Sequence, residues 1–401
     1  MKIRGKNSRM LICLTFVWIF FYVLSTAVSA AEAPETVKLG NNLALSGGGA
    51  FWGIGYDNAI KLSAKQINEK GKFIVKGKNY KWQIITCDHK YETSEAVACA
   101  NKLIYQDKVK YMMVHGGSTA IAVAPIANKE KVLMVCWAGG GKALTNPNNP
   151  LAFRHSPVDG AAMQTGLYKW LITHEKIKSI ATIHPDDETG YSGGEGCKEA
   201  AEISGLKLLG QEFFPRNTTD FYPILSRLLA KKPDAIDMYF SPPGGVLLMT
   251  KQLYELGYKG VVIQYTVDPV KALEAVGPKA LDKVYSYLTL ATLVTPEQKK
   301  FRDDYVAAYG EWNEQALLAY DFLFTLTDCI VEGQSFDPVR VAEIMQDKEI
   351  PYLYGKGYYG MKERFGLKRQ GLFPTPLAQF KDGKWQHIAF IDPEIPKTGG
   401  K

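Results

Sequence analysis

Cysteine is scarce in this chain: only six of its 401 residues are cysteines, too few for a fold built on disulfide bridges. One of the six, Cys13, falls in the amino-terminal leader described below, and five remain: Cys87, Cys99, Cys136, Cys197 and Cys329. In an oxidising compartment a single bridge is possible, and Cys87 and Cys99 are the nearest pair in sequence. Cys136 lies in the apolar run VLMVCW, which favours a buried thiol over a nucleophile.

The sequence also lacks the motifs of common catalytic and metal sites. It contains neither a G-x-S-x-G nucleophile elbow nor a G-x-x-x-x-G-K-[ST] phosphate loop. Its six histidines form no H-E-x-x-H pair. The consecutive acids Asp186, Asp187 and Glu188 have no further group at ligand spacing, which favours a solvated loop. We therefore expect neither an enzyme nor a bound metal or cofactor.

A long apolar run occurs once, at the amino terminus. Basic residues precede it, Met10 to Thr26 is almost wholly apolar, and small residues follow up to Ala31. This order predicts a secretory signal peptide over residues 1–30, with cleavage after Ala30 or Ala31. The alternative, a membrane anchor, usually has about 20 apolar residues and is not followed by the small residues of a cleavage site. We expect the mature protein to be exported.

Positive charge is also limited in the mature chain. Loss of the four basic residues of the leader changes the formal net charge from +7 to +3 (7 − 4). The sequence has no basic tract suited to nucleic acid, so nucleic acid is not an expected partner.

Short apolar runs alternate with amphipathic stretches along the rest of the chain. The pattern begins with VKLGNNLAL as a strand and YDNAIKLSAKQINEKG as a helix that ends at a glycine, and it restarts near residue 167. Two such series predict an α/β protein with two doubly wound parallel-sheet lobes joined by crossover strands. We assign residues 37–156 and 291–352 to lobe 1, and residues 157–290 and 353–395 to lobe 2. The carboxyl-terminal segment LAQFKDGKWQHIAFI predicts a hairpin that turns at Asp382-Gly383.

Ligands of open α/β sheets bind beyond the carboxyl ends of the strands, so the loops after strands carry the functional prediction. Four of these loops are unusual: Ser46–Gly55, Gly116–Ala120, Trp137–Gly141 and His184–Gly194. The second would start a helix, whose free N–H groups suit a carboxylate. An ordinary Ser or Thr N-cap with no ligand would give the same sequence pattern. Glycines in the third would let backbone amides approach a ligand, or would simply make a left-handed turn.

Several of these stretches, in this order, resemble one protein family. AFWGIGYDNAIKLSAKQIN, YMMVHGGSTA and IATIHPDDETGYSGGEG resemble the leucine/isoleucine/valine-binding type of periplasmic binding protein, from about Val37 to Gly333 and less clearly to the end. The resemblance implies the type I periplasmic binding fold and a solute receptor of an ABC importer. Such a receptor is a monomer that closes around a small ligand by a hinge and delivers it to a permease in the inner membrane.

The resemblance also implies a set of ligand-binding residues: Trp52, Ser118, Thr119, Ala138, Gly139, Gly140, Tyr191 and Asp268. Trp52 would pack on the apolar part of the ligand, and Ser118, with Thr119 beside it, would hold its carboxylate. Ala138 would add a backbone contact. Gly140 falls where the family often has a threonine, and Tyr191 would line the cleft from the second lobe.

The sequence departs from the family where the ligand's ammonium group is bound. The amino-acid receptors have an acid after a second-lobe strand, but here QYTVDP has Thr266 near that place and Asp268 two residues later. The loop FSPPGG also lacks an aromatic that the family often supplies. If Asp268 is the counter-ion, we expect a branched-chain or other apolar amino acid. If it points away, a non-amino aromatic or aliphatic carboxylate becomes the expected ligand. A periplasmic sensor acting with a separate partner is a further alternative.

Overall fold

The computed structural model describes residues 33–155, 159–265, 267–288 and 293–395. The predicted signal peptide and Thr266 lie outside these residues. In the described ranges, no helix has both the length and the apolar character that crossing a bilayer requires.

The strands and helices follow the predicted alternation. The strands, in chain order, are β1 (Glu35–Leu43), β2 (Ile74–Val75), β3 (Lys78–Asp88), β4 (Tyr111–His115), β5 (Leu133–Trp137), β6 (Ala152–Arg154), β7 (Ser179–Pro185), β8 (Lys207–Phe214), β9 (Ala235–Asp237), β10 (Val261–Tyr265), β11 (Val284–Tyr287), β12 (Ile350–Tyr352), β13 (Gly355–Gly360), β14 (Gln370–Leu372), β15 (Thr375–Lys381) and β16 (Lys384–Ile391). The α-helices are α1 (Ala50–Lys70), α2 (Thr93–Asn101), α3 (Gly117–Lys129), α4 (Gly141–Leu144), α5 (Gly160–Glu175), α6 (Glu188–Ser204), α7 (Tyr222–Leu229), α8 (Pro243–Glu255), α9 (Pro269–Val276), α10 (Pro296–Tyr309), α11 (Tyr320–Gly333), α12 (Pro338–Met345) and α13 (Lys362–Phe365). Shorter 3₁₀ segments cover Gly47–Gly49, Pro278–Leu281 and Glu314–Leu318.

Two mainly parallel sheets organise these elements. The first has nine strands in the order β12-β13-β14-β6-β5-β4-β1-β3-β2, and the second has seven in the order β16-β15-β11-β10-β9-β7-β8. The strands from β14 through β6 to β3 pair in parallel, as do those from β11 to β8. Antiparallel pairs occur only towards the sheet edges among the described residues. The predicted α/β fold with two doubly wound lobes is confirmed.

Each sheet is covered with apolar side chains on both faces. In β4, Tyr111 and Met113 pack in one hydrophobic cluster, while Met112 and Val114 pack in another. This alternation is the period of two that a strand imposes on its side chains. Helices on both faces bury these clusters, which is why the strands read as continuous apolar runs in the sequence.

The chain crosses between the two sheets three times. It leaves the first sheet after β6, returns after β11 to helix α10, which packs on α1, and leaves again between β14 and β15. Strands β13 and β14 pair in the first sheet, so the expected return to lobe 2 at residue 353 falls too early. The last crossing lies between Leu372 and Thr375 instead, because β14 pairs with β6 of the first sheet.

Two local predictions can be compared directly with the structure. Cys87 and Cys99 form a disulfide that ties the end of β3 to α2, with their Cα atoms 5.6 Å apart. The carboxyl-terminal hairpin forms from β15 and β16, and Asp382 and Gly383 at its turn have φ angles of 52° and 76°. Two positive φ angles are what a two-residue type I′ turn requires.

Candidate ligand-binding cleft

A cleft lies between the two sheets, at the carboxyl ends of their parallel strands. Its walls are formed by Trp52, Tyr56, Tyr91, His115, Gly116, Gly117, Trp137, Ala138, Gly139, Thr189, Arg216, Phe240, Tyr265, Leu288 and Leu318. The space open to the centre of a water molecule is about 50 Å³, whereas a single water needs roughly 10–15 Å³. The cleft is therefore a narrow cavity of a size suited to a small ligand.

Aromatic side chains from both lobes dominate the walls. Tyr56 packs at 5.3 Å, edge to face, on His115 and at 5.6 Å on Trp137. The indole N–H of Trp137 donates a hydrogen bond of 2.7 Å to the backbone oxygen of Leu318, which fixes the plane of the indole. From the second lobe, Phe240 meets Tyr265 edge to face at 5.6 Å. These contacts hold the rings in place, so the cavity offers preformed apolar faces.

Two glycines allow the lobes to approach closely across the cleft. A Cβ atom on Gly117 would lie 2.4 Å from the hydroxyl oxygen of Thr189, and one on Gly139 would lie 3.0 Å from the ring of Phe240. Both neighbours belong to the second lobe. Any larger side chain at Gly117 would therefore push the lobes apart, which explains why glycine stands at this contact between the lobes.

Arg216 is the cationic side chain in the cleft wall. Its Nε donates to the carboxylate of Asp187, and its guanidinium lies 5.0 Å from the ring centre of Tyr91. Burial lowers the pKa of Arg216, but Tyr91 and Asp187 together raise it above its ordinary value, so the side chain stays charged. Its buried Nη2 has no hydrogen-bond partner among the described residues. That nitrogen is free to donate to a ligand.

His115, at the end of β4, is the second polar group without a complete set of partners. It is only 5% exposed, and its Nδ1 has no hydrogen-bond partner in the described part of the chain. Burial holds the pKa of His115 well below its ordinary value, and the neighbouring His89 and Arg216 lower it further. The imidazole is therefore neutral and can donate or accept one hydrogen bond in the cavity.

Comparison with known proteins identifies the family. The sequence profile described as periplasmic binding protein matches residues 36–384. The chain belongs to the periplasmic binding protein family. A Pseudomonas aeruginosa relative, named leucine-, isoleucine-, valine-, threonine-, and alanine-binding protein, is 26% identical over 350 residues, or 85% of this chain and 89% of the relative. The resemblance seen in the sequence is thereby confirmed.

Solved structures show the same two-lobed fold as this binding protein. A leucine-binding protein from Thermotoga maritima has a TM-score of 0.74 at 21% identity, covering 89% of this chain and 99% of its own. A solute-binding protein of an ABC transporter from Rhodopseudomonas palustris, in complex with p-hydroxybenzoic acid, has a TM-score of 0.77 at 21% identity, with coverages of 90% and 98%. These likenesses show the two-lobed fold, and membership of the periplasmic binding protein family rests on the profile match.

Three of the residues predicted for the site of this binding protein meet in the cleft. Trp52, at the start of α1, is 8% exposed and packs at 5.7 Å on the imidazole of His115. Ala138 and Gly139 follow β5 and form the facing wall. The large apolar side chain behind the glycine loop is therefore turned into the cavity.

Three other predicted residues of the first lobe lie beside the cleft rather than in its wall. The Thr119 hydroxyl donates to the backbone oxygens of His115 and Gly116, which turns it towards the strand end. Ser118 is partly exposed and does not line the cavity. At Gly140, a Cβ would meet Ile121 at 3.1 Å, so this residue faces its own lobe.

The two predicted residues of the second lobe point away from the cavity. Tyr191 is 48% exposed, its hydroxyl donates to Asp186, and its ring packs on Phe213 at 5.2 Å. Asp268 caps α9: its carboxylate accepts hydrogen bonds from the backbone N–H groups of Val270 at 2.8 Å and Lys271 at 3.1 Å. Asp268 is therefore occupied at a helix end and is not one of the residues in the cleft wall.

Residues that the sequence did not single out complete the wall. Phe240 begins the loop FSPPGG, in which an aromatic was thought to be missing, and its φ of 65° turns its ring into the cleft. Tyr265 ends β10, Arg216 follows β8, and Thr189 lies on the first turn of α6, which follows β7. Their place directly after strands was the available signal, because parallel strands deliver such residues to one edge.

Proposed function

We propose that this protein is an exported receptor of an ABC importer that binds a small aromatic carboxylate without an amino group. The observation that carries this proposal is the position of Asp268. In the sequence it lies two residues after Thr266, the position that resembles the acid of the amino-acid receptors, and its carboxylate is used as a helix cap.

The missing counter-charge argues against an amino acid. The cleft wall contains no Asp or Glu side chain among the described residues, while Arg216 brings a positive charge into it. A buried ammonium without a paired negative charge is costly, and a nearby guanidinium makes it more so. A ligand that carries a carboxylate alone has the matching charge.

Polar groups suited to a carboxylate converge on the same cavity. Helix α3 begins at Gly117, and its first N–H groups have no partner within the helix. Such a helix start attracts an anion, and the unpartnered Nη2 of Arg216 approaches from the other lobe. Charge-assisted hydrogen bonds of this kind are stronger than neutral ones. We propose that the ligand carboxylate lies between these two groups.

The aromatic walls support an aromatic rather than a long aliphatic ligand. Trp52, Tyr56 and Trp137 from the first lobe face Phe240 and Tyr265 from the second. Rings can stack or meet edge to face with a flat ligand, and each contact adds about 0.5–1.5 kcal/mol beyond simple burial. The Rhodopseudomonas palustris relative in complex with p-hydroxybenzoic acid supports this class. The Pseudomonas aeruginosa relative named for aliphatic amino acids supports the alternative.

The transport cycle proposed here follows from the two-lobed fold. After removal of the leader at residues 1–30, the monomeric receptor would bind its ligand in the open cleft and close by rotation at the three crossings. Closure would exclude water, which strengthens the hydrogen bonds to the carboxylate. The closed receptor would then deliver the ligand to its permease in the inner membrane.

A thermal-shift panel on the mature protein tests this proposal. The protein is first unfolded and refolded to remove ligand carried through purification. Benzoate, 4-hydroxybenzoate and 3-phenylpropanoate are then compared with leucine, valine and phenylalanine. We expect stabilisation by the aromatic acids and none by the amino acids. The variant Tyr191→Ala, outside the cavity, serves as the control that should respond like wild type. Selective stabilisation by leucine or valine would contradict the proposal.

A further inference from the structure

The cleft has a hinge side and an open side. The three crossings follow or precede β6, β11, β14 and β15, which lie together towards one side of the two sheets. Strands β3 and β8 lie towards the opposite side of their sheets. Loops that follow β3 and β8 therefore move furthest when the lobes rotate, and they form the mouth of the cleft.

One side chain from each of these two loops meets the other across the mouth. Tyr91 follows β3 in the first lobe, Arg216 follows β8 in the second, and the guanidinium carbon lies 5.0 Å from the centre of the phenol ring. This is the geometry of a cation–π contact. Burial raises the pKa of Tyr91 while Arg216 opposes that rise, which is consistent with a charge over its ring.

The ring of Tyr91 is held firmly on the first-lobe side. It packs at 5.3 Å on His115 and at 6.4 Å on Trp52. A Cβ on Gly49 would lie only 2.3 Å from the ring, so the tyrosine also rests on the glycine-rich loop before α1. Arg216 is held on its own lobe by Asp187. Both partners are thus positioned before they meet.

The loop that carries Tyr91 is closed by the disulfide. Cys87 and Cys99 are 12 residues apart, and Tyr91 lies between them. Lys90 and Tyr91 both have left-handed φ angles, 54° and 66°, which are unfavourable for residues other than glycine. A covalent loop closure reduces the number of alternative conformations that such a segment can adopt.

We propose that Tyr91 and Arg216 form a latch across the mouth of the cleft, and that the Cys87–Cys99 disulfide positions Tyr91 for it. The latch rests on the lobe closure proposed above but not on the class of ligand. Because the two side chains meet only when the lobes are closed, the latch slows ligand release and leaves association nearly unchanged. Cation–π contacts range from weak when exposed to strong when desolvated, so loss of the latch should speed release by about 2- to 30-fold.

Release kinetics test the latch. Dissociation rates are measured by stopped flow for 4-hydroxybenzoate and for L-leucine, whichever binds, in wild type, Tyr91→Leu and Tyr91→Phe. We expect faster release from Tyr91→Leu and near-normal release from Tyr91→Phe, because the ring is retained. Arg216→Lys keeps the charge but loses the planar guanidinium. Because Arg216 is also proposed to contact the ligand, the double variant is compared with Arg216→Lys alone: adding Tyr91→Leu to Arg216→Lys should speed release little, whereas a Tyr91→Leu effect as large as in wild type would overturn the latch.

Removing the Cys87–Cys99 disulfide tests whether it positions Tyr91 for the latch. In the double variant Cys87→Ser with Cys99→Ala, we expect release to accelerate, and a further Tyr91→Leu change to add little. Unaltered release, or a Tyr91→Leu effect as large as in wild type, would show that the disulfide does not position the tyrosine.

A distance measurement separates failure of the latch from failure of the ligand proposal. Spin labels on Lys129→Cys and Lys251→Cys, both exposed, report the separation of the lobes with and without each ligand. We expect Tyr91→Leu to reduce the closed population in every condition that shows one. Binding of L-leucine alone would refute the ligand class and still test the latch. A wild-type protein with no closed population in any condition would overturn the latch.

Discussion

Loss of the Arg216 side chain should weaken the binding of a carboxylate ligand by an amount that can be worked out from the structure. In Arg216→Met the stem remains, but the cleft loses the unpartnered Nη2 and the positive charge. A hydrogen bond to a charged group contributes about 1.5–3 kcal/mol, so affinity for 4-hydroxybenzoate should fall by about 10- to 150-fold. The carboxylate of Asp187 loses its ion pair but still accepts from the backbone N–H of Gly190, so α6 keeps its cap.

Titration calorimetry with a matched uncharged ligand isolates this interaction. The amide 4-hydroxybenzamide has the same ring and hydroxyl, so Arg216→Met should weaken its binding much less than that of the acid. The companion variant Asp187→Asn keeps a good helix cap but removes the charge that partly neutralises Arg216. It should bind the acid at least as tightly as wild type. Equal losses for acid and amide in Arg216→Met, or no loss at all, would show that Arg216 does not bind the carboxylate.

Three further predictions concern the cavity, the core and the glycine loop. Trp52→Ala should weaken binding of 4-hydroxybenzoate by about 10- to 100-fold in calorimetry, because burial of a large apolar side chain contributes about 1.5–3 kcal/mol; affinity within twofold of wild type would contradict this. Burial raises the pKa of Asp321 to about 8, so Asp321 keeps its proton in the folded protein at pH values where the unfolded chain has already lost it. The stability that this proton binding contributes is lost as pH rises from about 4 to about 8. Asp321→Asn lacks that loss, and its unfolding free energy in urea should gain on wild type by about 3–4 kcal/mol between pH 5 and pH 8; a pH-independent difference would refute the assignment. A Cβ on Gly53 would lie 1.9 Å from the backbone oxygen of Ala44, whereas one on Gly48 would meet nothing within 4 Å; Gly53→Ala should therefore lose about 3 kcal/mol or more of unfolding free energy and Gly48→Ala little, and equal effects would contradict the packing.

The fold could be predicted from the sequence because its signals are local and repeated. Each parallel strand is a short apolar run, each helix has apolar residues at helical spacing, and the turn at Asp382-Gly383 is specified by two residues. The last return between lobes could not be placed in this way. Strand β14 joins the first sheet through a single residue pair, Gln370 with Arg154, that is remote in sequence. The local sequence of a three-residue strand does not indicate which strand it pairs with.

The candidate site was predictable only in part, for reasons of helix geometry. Helix α6 begins after the cap Asp187, and Thr189 on its first turn faces the cleft. Tyr191 is two residues further, about 200° around the helix, and therefore faces solvent. Asp268 precedes a proline that opens α9, which is itself a sequence signature of a capping residue. Tyr91 could not be foreseen, because two left-handed residues and a disulfide turn its ring into the cleft.

Two ligands that differ only by an amino group test whether the cleft accepts a carboxylate without an amine. Refolded mature protein is titrated in a calorimeter with 3-phenylpropanoate and with L-phenylalanine, which share the ring, the chain and the carboxylate. We expect 3-phenylpropanoate to bind and the amine to abolish or strongly weaken binding, because Asp268 caps α9 and Arg216 lies in the cleft. Tighter binding of L-phenylalanine would contradict this expectation and would mean that an ammonium site exists in this protein.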